Sequence, residues 1–188
     1  MSGILKPPFG TLLNRNHPLA QGLVDCWLFN EGSGNKAYDS SGQGNTCTLT
    51  NMNDPPIATS GWGPGPHGGA LAFDGGNDYV NLASNTSTRL QNDINTVSIW
   101  ACIIATGPNA YAELYSVVNG NRTGIQWKTN KIRLYINDDF SSYYVPVVLT
   151  FNTWNHILVQ IDRVNCIGTV YLNGIYKGQT ATWPTYTP

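Results

Sequence analysis

The stretch GIQWKTNKIRLYI, residues 124–136, decides the fold. Apolar side chains recur at every second position on both sides of Thr129-Asn130, the period of a half-buried strand. Setting Lys128 opposite Lys131 places Trp127 against Ile132 and Ile125 against Leu134, all on one side. Gln126, Lys128, Lys131, Arg133 and Tyr135 then fall on the other. The hairpin is therefore predicted to bury its first set and to wet its second.

Working outward, short apolar runs punctuated by Gly and Asn predict further strands at Val24–Phe29, Thr46–Leu49, Thr96–Ala105, Tyr143–Leu149, His156–Asp162 and Gly168–Leu172. Asn173-Gly174 is a hairpin-turn signal. Ala70–Phe73 and Tyr79–Leu82 read as one hairpin around Asp74-Gly-Gly-Asn-Asp78, and the Pro- and Gly-rich residues 53–69 as a surface excursion. In residues 96–105, Val97, Ile99, Ala101 and Ile103 alternate with Trp100, Cys102 and Ile104. Both faces are apolar, so this strand is expected to be covered on both sides or to line a groove. No stretch keeps a 3.6-residue period beyond about two turns. The predicted class is all-β, two antiparallel sheets packed face to face. Trp27, Phe29, Phe73, Ile99, Trp127, Leu134, Val159 and Leu172 are expected to be largely buried.

A chain of 188 residues fits a single β-sandwich. Only 11% of residues are charged, for a net charge of −1, and the polar quota is carried by 21 Asn, 18 Thr, 20 Gly and 11 Ser. That mixture suits strands and turns and opposes helices. Ten scattered cations form no basic stripe, so nucleic acid is not an expected partner. No apolar run approaches the ~18 residues that span a bilayer, and residues 1–8 do not read as a signal peptide, so no membrane partner is expected either. Cys26, Cys47, Cys102 and Cys166 lack metal-binding spacing and read as reduced, structural thiols.

Residues 1–22 differ from the rest. Three prolines separate Ile4, Leu5, Phe9, Leu12, Leu13 and Leu19, which suggests an extended N-terminal arm ahead of a sandwich at residues 23–188. The arm either packs along its own domain or lies on a neighbouring subunit, and the expectation carried forward is that it serves assembly, because six large apolar groups call for burial.

The order of motifs resembles the concanavalin A-like, laminin G-like jelly-roll family. The stretches are GLVDCWLFNEGSG at 22–34, YDSSGQGN at 38–45, GGALAFDGGNDYVNL at 68–82, TVSIWACI at 96–103, TWNHILVQID at 153–162 and GTVYLNGIYKG at 168–178. The resemblance implies an antiparallel two-sheet jelly roll. It says less about function, since such domains are mostly glycan-binding or adhesive modules, some attached to glycosidases, lyases or sialidases. Family members usually continue past the LNG hairpin to an Asp-rich closing strand. Its absence here suggests a shortened or incompletely recorded C-terminus, ahead of strand donation by a neighbour's arm.

Three chemistries bear on these residues. Retaining sandwich glycosidases need two carboxylates about 5–5.5 Å apart, and the family's version resembles Glu-x-Asp-x-x-Glu. The chain has two glutamates, Glu31 and Glu113, without an acidic residue two or three positions away. No GxSxG occurs, and His156 reads as structural. No catalytic residue is expected, and no enzyme activity. The resemblance implies a structural calcium in some members, with Glu31 at the matching position and Asp39 nearby. Asp74 and Asp78 form a separate oxygen-rich loop, and no other cofactor is implied. Glycan binding draws on aromatic faces and on amide and guanidinium groups. Gln126, Arg133, Tyr135, Asn137, Tyr143 and Tyr144 form the candidate cluster. A fold typical of extracellular proteins without an export signal suggests a bacteriophage virion decoration or adhesive subunit, made in the cytoplasm and displayed on the virion surface. Its expected partners are copies of itself or virion neighbours, with a glycan as ligand. A glycan-binding module of a cell-surface or secreted protein is the second reading, and a glycoside hydrolase or lyase the third.

Overall fold

The computed structural model describes residues 5–82, 90, 93–104, 111–119, 121–136 and 143–184. The chain divides into two compact units, Met1–Thr88 and Arg89–Pro188. Each has its own apolar core. Among the described residues the only helical turn is the 3₁₀ turn Pro18–Ala20, and every paired strand is antiparallel.

The first unit holds β1 (Lys36–Ala37), β2 (Cys47–Thr50), β3 (Gly61–Gly65), β4 (Gly68–Ala72) and β5 (Tyr79–Leu82). They form a three-stranded sheet, β1-β2-β5, and a ribbon, β3-β4. Ala37, Cys47, Leu49 and Trp62 are buried in its core, with Trp27, Phe29, Leu71 and Val80 packed partly buried against them. Four expectations are corrected here. Residues 53–69 are not all excursion, because Gly61–Gly65 folds back on Gly68–Ala72. Gly69 allows it: a Cβ there would sit 2.7 Å from the Phe29 carbonyl oxygen. The hairpin joining residues 70–73 to 79–82 does not form. The Asp74–Asp78 loop closes on itself, Gly76 N donating to Asp74 Oδ1 and Asp74 N to Asp78 Oδ2, while β5 pairs with β2. Phe73, just past the end of β4, is 52% exposed. Residues 24–29 make a single bridge, Trp27 with Asp39, instead of a strand. Phe29 turns the chain with φ of 51°, and Cys26 N is taken by a side chain, Asp39 Oδ1.

The second unit holds β6 (Ile94–Cys102), β7 (Tyr111–Asn119), β8 (Asn121–Lys128), β9 (Lys131–Tyr135), β10 (Tyr144–Pro146), β11 (Trp154–Asp162), β12 (Ile167–Leu172) and β13 (Ile175–Gln179). Two four-stranded sheets result, β10-β9-β8-β7 and β13-β12-β11-β6. Their inner faces share one core, Ile125, Trp127, Ile132, Leu134 and Val145 meeting Ile157, Val159, Ile161, Val170 and Leu172. The sheets touch closely enough that a Cβ on Gly168 would lie 2.7 Å from Leu134 Cδ1. The hairpin register is the one read from the sequence: Trp127 faces Ile132 and Ile125 faces Leu134. Asn173 and Gly174 both take positive φ, 51° and 78°, as a two-residue primed turn requires. β7 was not anticipated. A bulge between Glu113 and Tyr115 breaks its alternation and hides the period. Val97 and Ala101 of β6 pack against the core, whereas Trp100 on its other face is 48% exposed, so of the two alternatives expected for that face, covered or lining a groove, it is not covered.

Candidate binding face of the second unit

Alternation along β7–β10 turns one set of side chains into the core and the other outward. The ladder places them in rows. Tyr111 stands beside Lys128, and Pro146 beside Lys131. Glu113 stands beside Gln126, Gln126 beside Arg133, and Arg133 beside Tyr144. Ser116, Gly124 and Tyr135 form the next row. Tyr111 is 63% and Tyr144 40% exposed, and the Lys131 ammonium lies 4.0 Å from the Tyr144 ring centroid.

Tyr135 is the corrected member of this face. It was expected to be wet and is 2% exposed. Opposite it stands Gly124, whose missing side chain leaves a slot for the phenol: a Cβ there would lie 2.3 Å from the Tyr135 oxygen. The hydroxyl donates to Glu113 Oε1 at 2.5 Å, and Gln126 Nε2 donates to Oε2 at 2.7 Å. Desolvation pushes the Glu113 pKa up, a rise partly offset by these two hydrogen bonds and by the Arg122 charge. Burial and the Glu113 carboxylate together push the Tyr135 phenol up as well. Glu113 was given no role in the sequence reading; β7 being missed, nothing brought it beside Gln126.

The other expected sugar contacts separate. Gln126, Arg133 and Tyr144 stand on this face. Tyr143 does not: it is 6% exposed, in the core against Trp183 with ring centroids 5.9 Å apart. Asn137 lies outside the described residues, as do Asp138 and Asp139. On the other sheet, His156 stacks on Trp100 with centroids 5.2 Å apart, and its Nε2 is 2.8 Å from Ser98 Oγ.

The four carboxylates expected to suit calcium are engaged to different degrees. Asp39 is buried and already saturated: Oδ1 accepts from Cys26 N and Ser41 N, and Oδ2 from Ser41 Oγ and Asn45 N. Burial pushes its pKa up, but those hydrogen bonds prevail and hold it below the ordinary carboxylate value. Glu31 accepts from Tyr38 N and acts on the Lys6 ammonium, whose own pKa burial lowers. Asp74 Oδ1 and Asp78 Oδ2 are engaged in their own loop, whereas Asp78 Oδ1 and Glu31 Oε2 are buried without a hydrogen-bond partner. Among the described residues no three His, Cys, Asp or Glu side chains converge. The four cysteines are free thiols, and burial first, then nearby carboxylates, pushes Cys47 up to about 12.

The arm is tied to its own unit. Lys6 N donates to His67 O, Lys6 Nζ to Gly69 O, Asn30 Nδ2 to Pro7 O and Leu13 N to Ser40 O. Yet Leu5, Phe9 and Leu12 stay 75%, 57% and 66% exposed, and Phe9 rests on Tyr38. Leu13 is half-buried. Ile4 and the Leu19 side chain lie outside the described residues. Among the described residues no helix is long and apolar enough to cross a membrane.

No curated protein matches the chain in sequence. Solved structures do match in shape, each with a TM-score of 0.51. The binding domain of botulinum neurotoxin DC in complex with rat synaptotagmin II is 14% identical and is matched over 82% of this chain. A botulinum neurotoxin type C structure, described as entering cells through two ganglioside molecules, is 16% identical over 84%. The neurotoxin DC binding domain with SialylT is 16% identical over 85%. This chain spans 40–42% of the length of those chains, and at such identity the likeness speaks for the fold alone. The family model described as the concanavalin A-like lectin/glucanases superfamily, of laminin G type, matches residues 74–188. Those residues are more than half of the chain and contain both sheets of the sandwich, so this protein is a concanavalin A-like jelly roll and belongs to that superfamily.

Proposed function

We propose that this chain is a non-catalytic glycan-binding module, and that the outer face of β7–β10 is its binding surface. One observation carries the reading. The face sets two exposed tyrosines and a row of hydrogen-bonding side chains beside a single carboxylate, Glu113, which Tyr135 and Gln126 hold in place. Acid–base cleavage of a glycoside calls for a second carboxylate on the same face, and none stands there among the described residues. Sugar rings stack on exposed aromatic faces, and their hydroxyls match amide and guanidinium groups. That two of the similar folds are described with a ganglioside or SialylT agrees with this reading without carrying it. Screening the full chain on an immobilised glycan array tests it. Binding lost in Tyr144→Ala, with no reducing ends released by wild type or Glu113→Gln, is the expected result. Turnover abolished by Glu113→Gln would make the protein an enzyme instead.

A second reading rests on the arm. Leu5, Phe9 and Leu12 present apolar surface from a backbone already fixed in place, which suits a subunit of a larger assembly such as a virion decoration or adhesive protein displayed outside the cell. Native mass spectrometry decides it: wild type should assemble, and Leu5→Ser/Phe9→Ser/Leu12→Ser should not. A monomeric wild type removes this reading.

A further inference from the structure

We infer that the corner of this face where Lys128, Lys131 and Arg133 meet between Tyr111 and Tyr144 takes an acidic saccharide, with a carboxylate or sulfate group held by the three cations and a ring face held by a tyrosine. The inference deepens the glycan-binding reading and rests on it. Lys128 and Lys131 flank the hairpin turn on adjacent strands, and Arg133 is two residues along the same face from Lys131. Strand spacing of about 4.8 Å and a same-face repeat of about 7 Å put the three within reach of one anionic group. Tyr111 stands beside Lys128 and Tyr144 beside Arg133, so an aromatic ring borders the cations on either side. The Lys131 ammonium is already drawn over the Tyr144 ring, which holds the charge on the face instead of leaving it to wander in solvent.

The charge class follows from two facts. Lysine and arginine offer donors and no acceptors. A sugar hydroxyl both gives and takes hydrogen bonds, so a neutral saccharide would leave its own donors unmatched at this corner, whereas a carboxylate or sulfate is acceptor-only and suits the guanidinium fork. Among the described residues the face sets a single acid against these three cations. Its one acid, Glu113, has both oxygens engaged by Tyr135 and Gln126 and lies in the field of Arg122. Nucleic acid fits less well. A polyanion is gripped by an extended basic stripe, while here three cations share one corner of a chain with net charge −1.

The test is binding of the full chain to four labelled probes of similar length: an oligogalacturonate, a heparin-derived oligosaccharide, the neutral laminarihexaose and a single-stranded DNA oligomer. The expected result is binding of the carboxylated probe, the sulfated probe or both at least tenfold more tightly than laminarihexaose. That affinity should fall about tenfold between 50 and 500 mM NaCl as the charges are screened. Lys131→Gln/Arg133→Gln should lose it at least tenfold, and Lys36→Gln, a cation of the first unit, should not. Circular dichroism confirms that each variant is folded. Laminarihexaose bound as tightly as the acidic probes, with no effect of the double variant, overturns the acidic class and leaves the glycan-binding reading standing. DNA bound as tightly as the acidic saccharides overturns it as a general polyanion surface. Binding of no saccharide overturns both readings.

Discussion

Gly124→Ala tests the arrangement that shapes the face. An added Cβ would lie 2.3 Å from the Tyr135 oxygen, 2.5 Å from its Cζ and 2.5 Å from the Tyr115 carbonyl oxygen. The phenol can swing away, but the carbonyl belongs to the paired strand and cannot. Forcing a methyl into a packed site costs about 1–3 kcal/mol. If the ring leaves, its hydrogen bond to the Glu113 carboxylate goes too, worth about 1.5–3 kcal/mol. Alanine returns about 0.5–1 kcal/mol through a less flexible unfolded chain. The net expectation is a loss of about 3 kcal/mol, a shift of about 1 M in the urea midpoint at the slopes usual for small proteins. Urea titration followed by tryptophan emission and circular dichroism measures it. Tyr135→Phe, which keeps the ring and loses only the hydroxyl, should cost about half as much. In the Gly124→Ala/Tyr135→Ala pair the two effects should fall short of additive, since only the Tyr115 carbonyl then remains to clash. A Gly124→Ala protein within 0.5 kcal/mol of wild type would refute the account of why Tyr135 is buried.

Asp39→Asn should destabilise the first unit by about 3 kcal/mol at neutral pH, because an amide NH₂ would face N–H and O–H donors. Since its folded pKa is depressed, the stability from Asp39 is present above the ordinary carboxylate range and lost as pH falls through and below it. A pH series of melting curves checks that sign. Asp25 carries the opposite sign. Burial raises it to about 6, with Asn45 lowering it and Asp39 raising it, so its contribution is fully present below the unfolded value of 3.8 and lost as pH rises through about 6. Asp25→Asn should therefore gain about 1 kcal/mol at pH 7.5, discounted for its half-exposed setting, and little at pH 4; calorimetry at the two pH values decides. Trp127→Ala should cost about 3–5 kcal/mol as a core cavity, but Trp127→Phe much less, because it also removes an indole N–H that finds no acceptor; equal losses in the two variants would contradict this.

The residues that read true in the sequence were those whose environment is set by their own strand. Ile125, Trp127, Ile132 and Leu134 alternate over two strands joined by a two-residue turn, so side and register follow from the period alone. Tyr135 did not read true because its position depends on a glycine eleven residues earlier across the ladder. Tyr143 was misplaced for a related reason. It begins the run in which Val145, Val147 and Leu149 are buried and Tyr144, Pro146 and Val148 exposed, and shares the buried parity; beside Tyr144 it was read as part of a tyrosine pair and not as the first buried position. Asp39 looked like a metal ligand because carboxylates among glycines and serines serve either purpose. Only the structure shows four protein donors already converging on it. The bulge in β7 hid Glu113 in the same way, by breaking the one pattern that would have placed it opposite Gln126.

Trp127, with its orphan N–H, 1% exposure and edge contact to Phe151, also bears on how this protein can be watched. An excited indole relaxes by reorienting nearby dipoles and hydrogen-bond partners, and this one is 1% exposed with no protein acceptor at its nitrogen. It should emit at the blue end of the tryptophan range, while Trp100, half exposed on the opposite sheet, emits further to the red. The second unit thus carries an optical label in its core and another at its surface. In a variant whose other four tryptophans are phenylalanine, loss of the blue component signals that the two sheets have parted, and quenching of the red one by added iodide or acrylamide signals access to the β6–β11 face while the core is still closed.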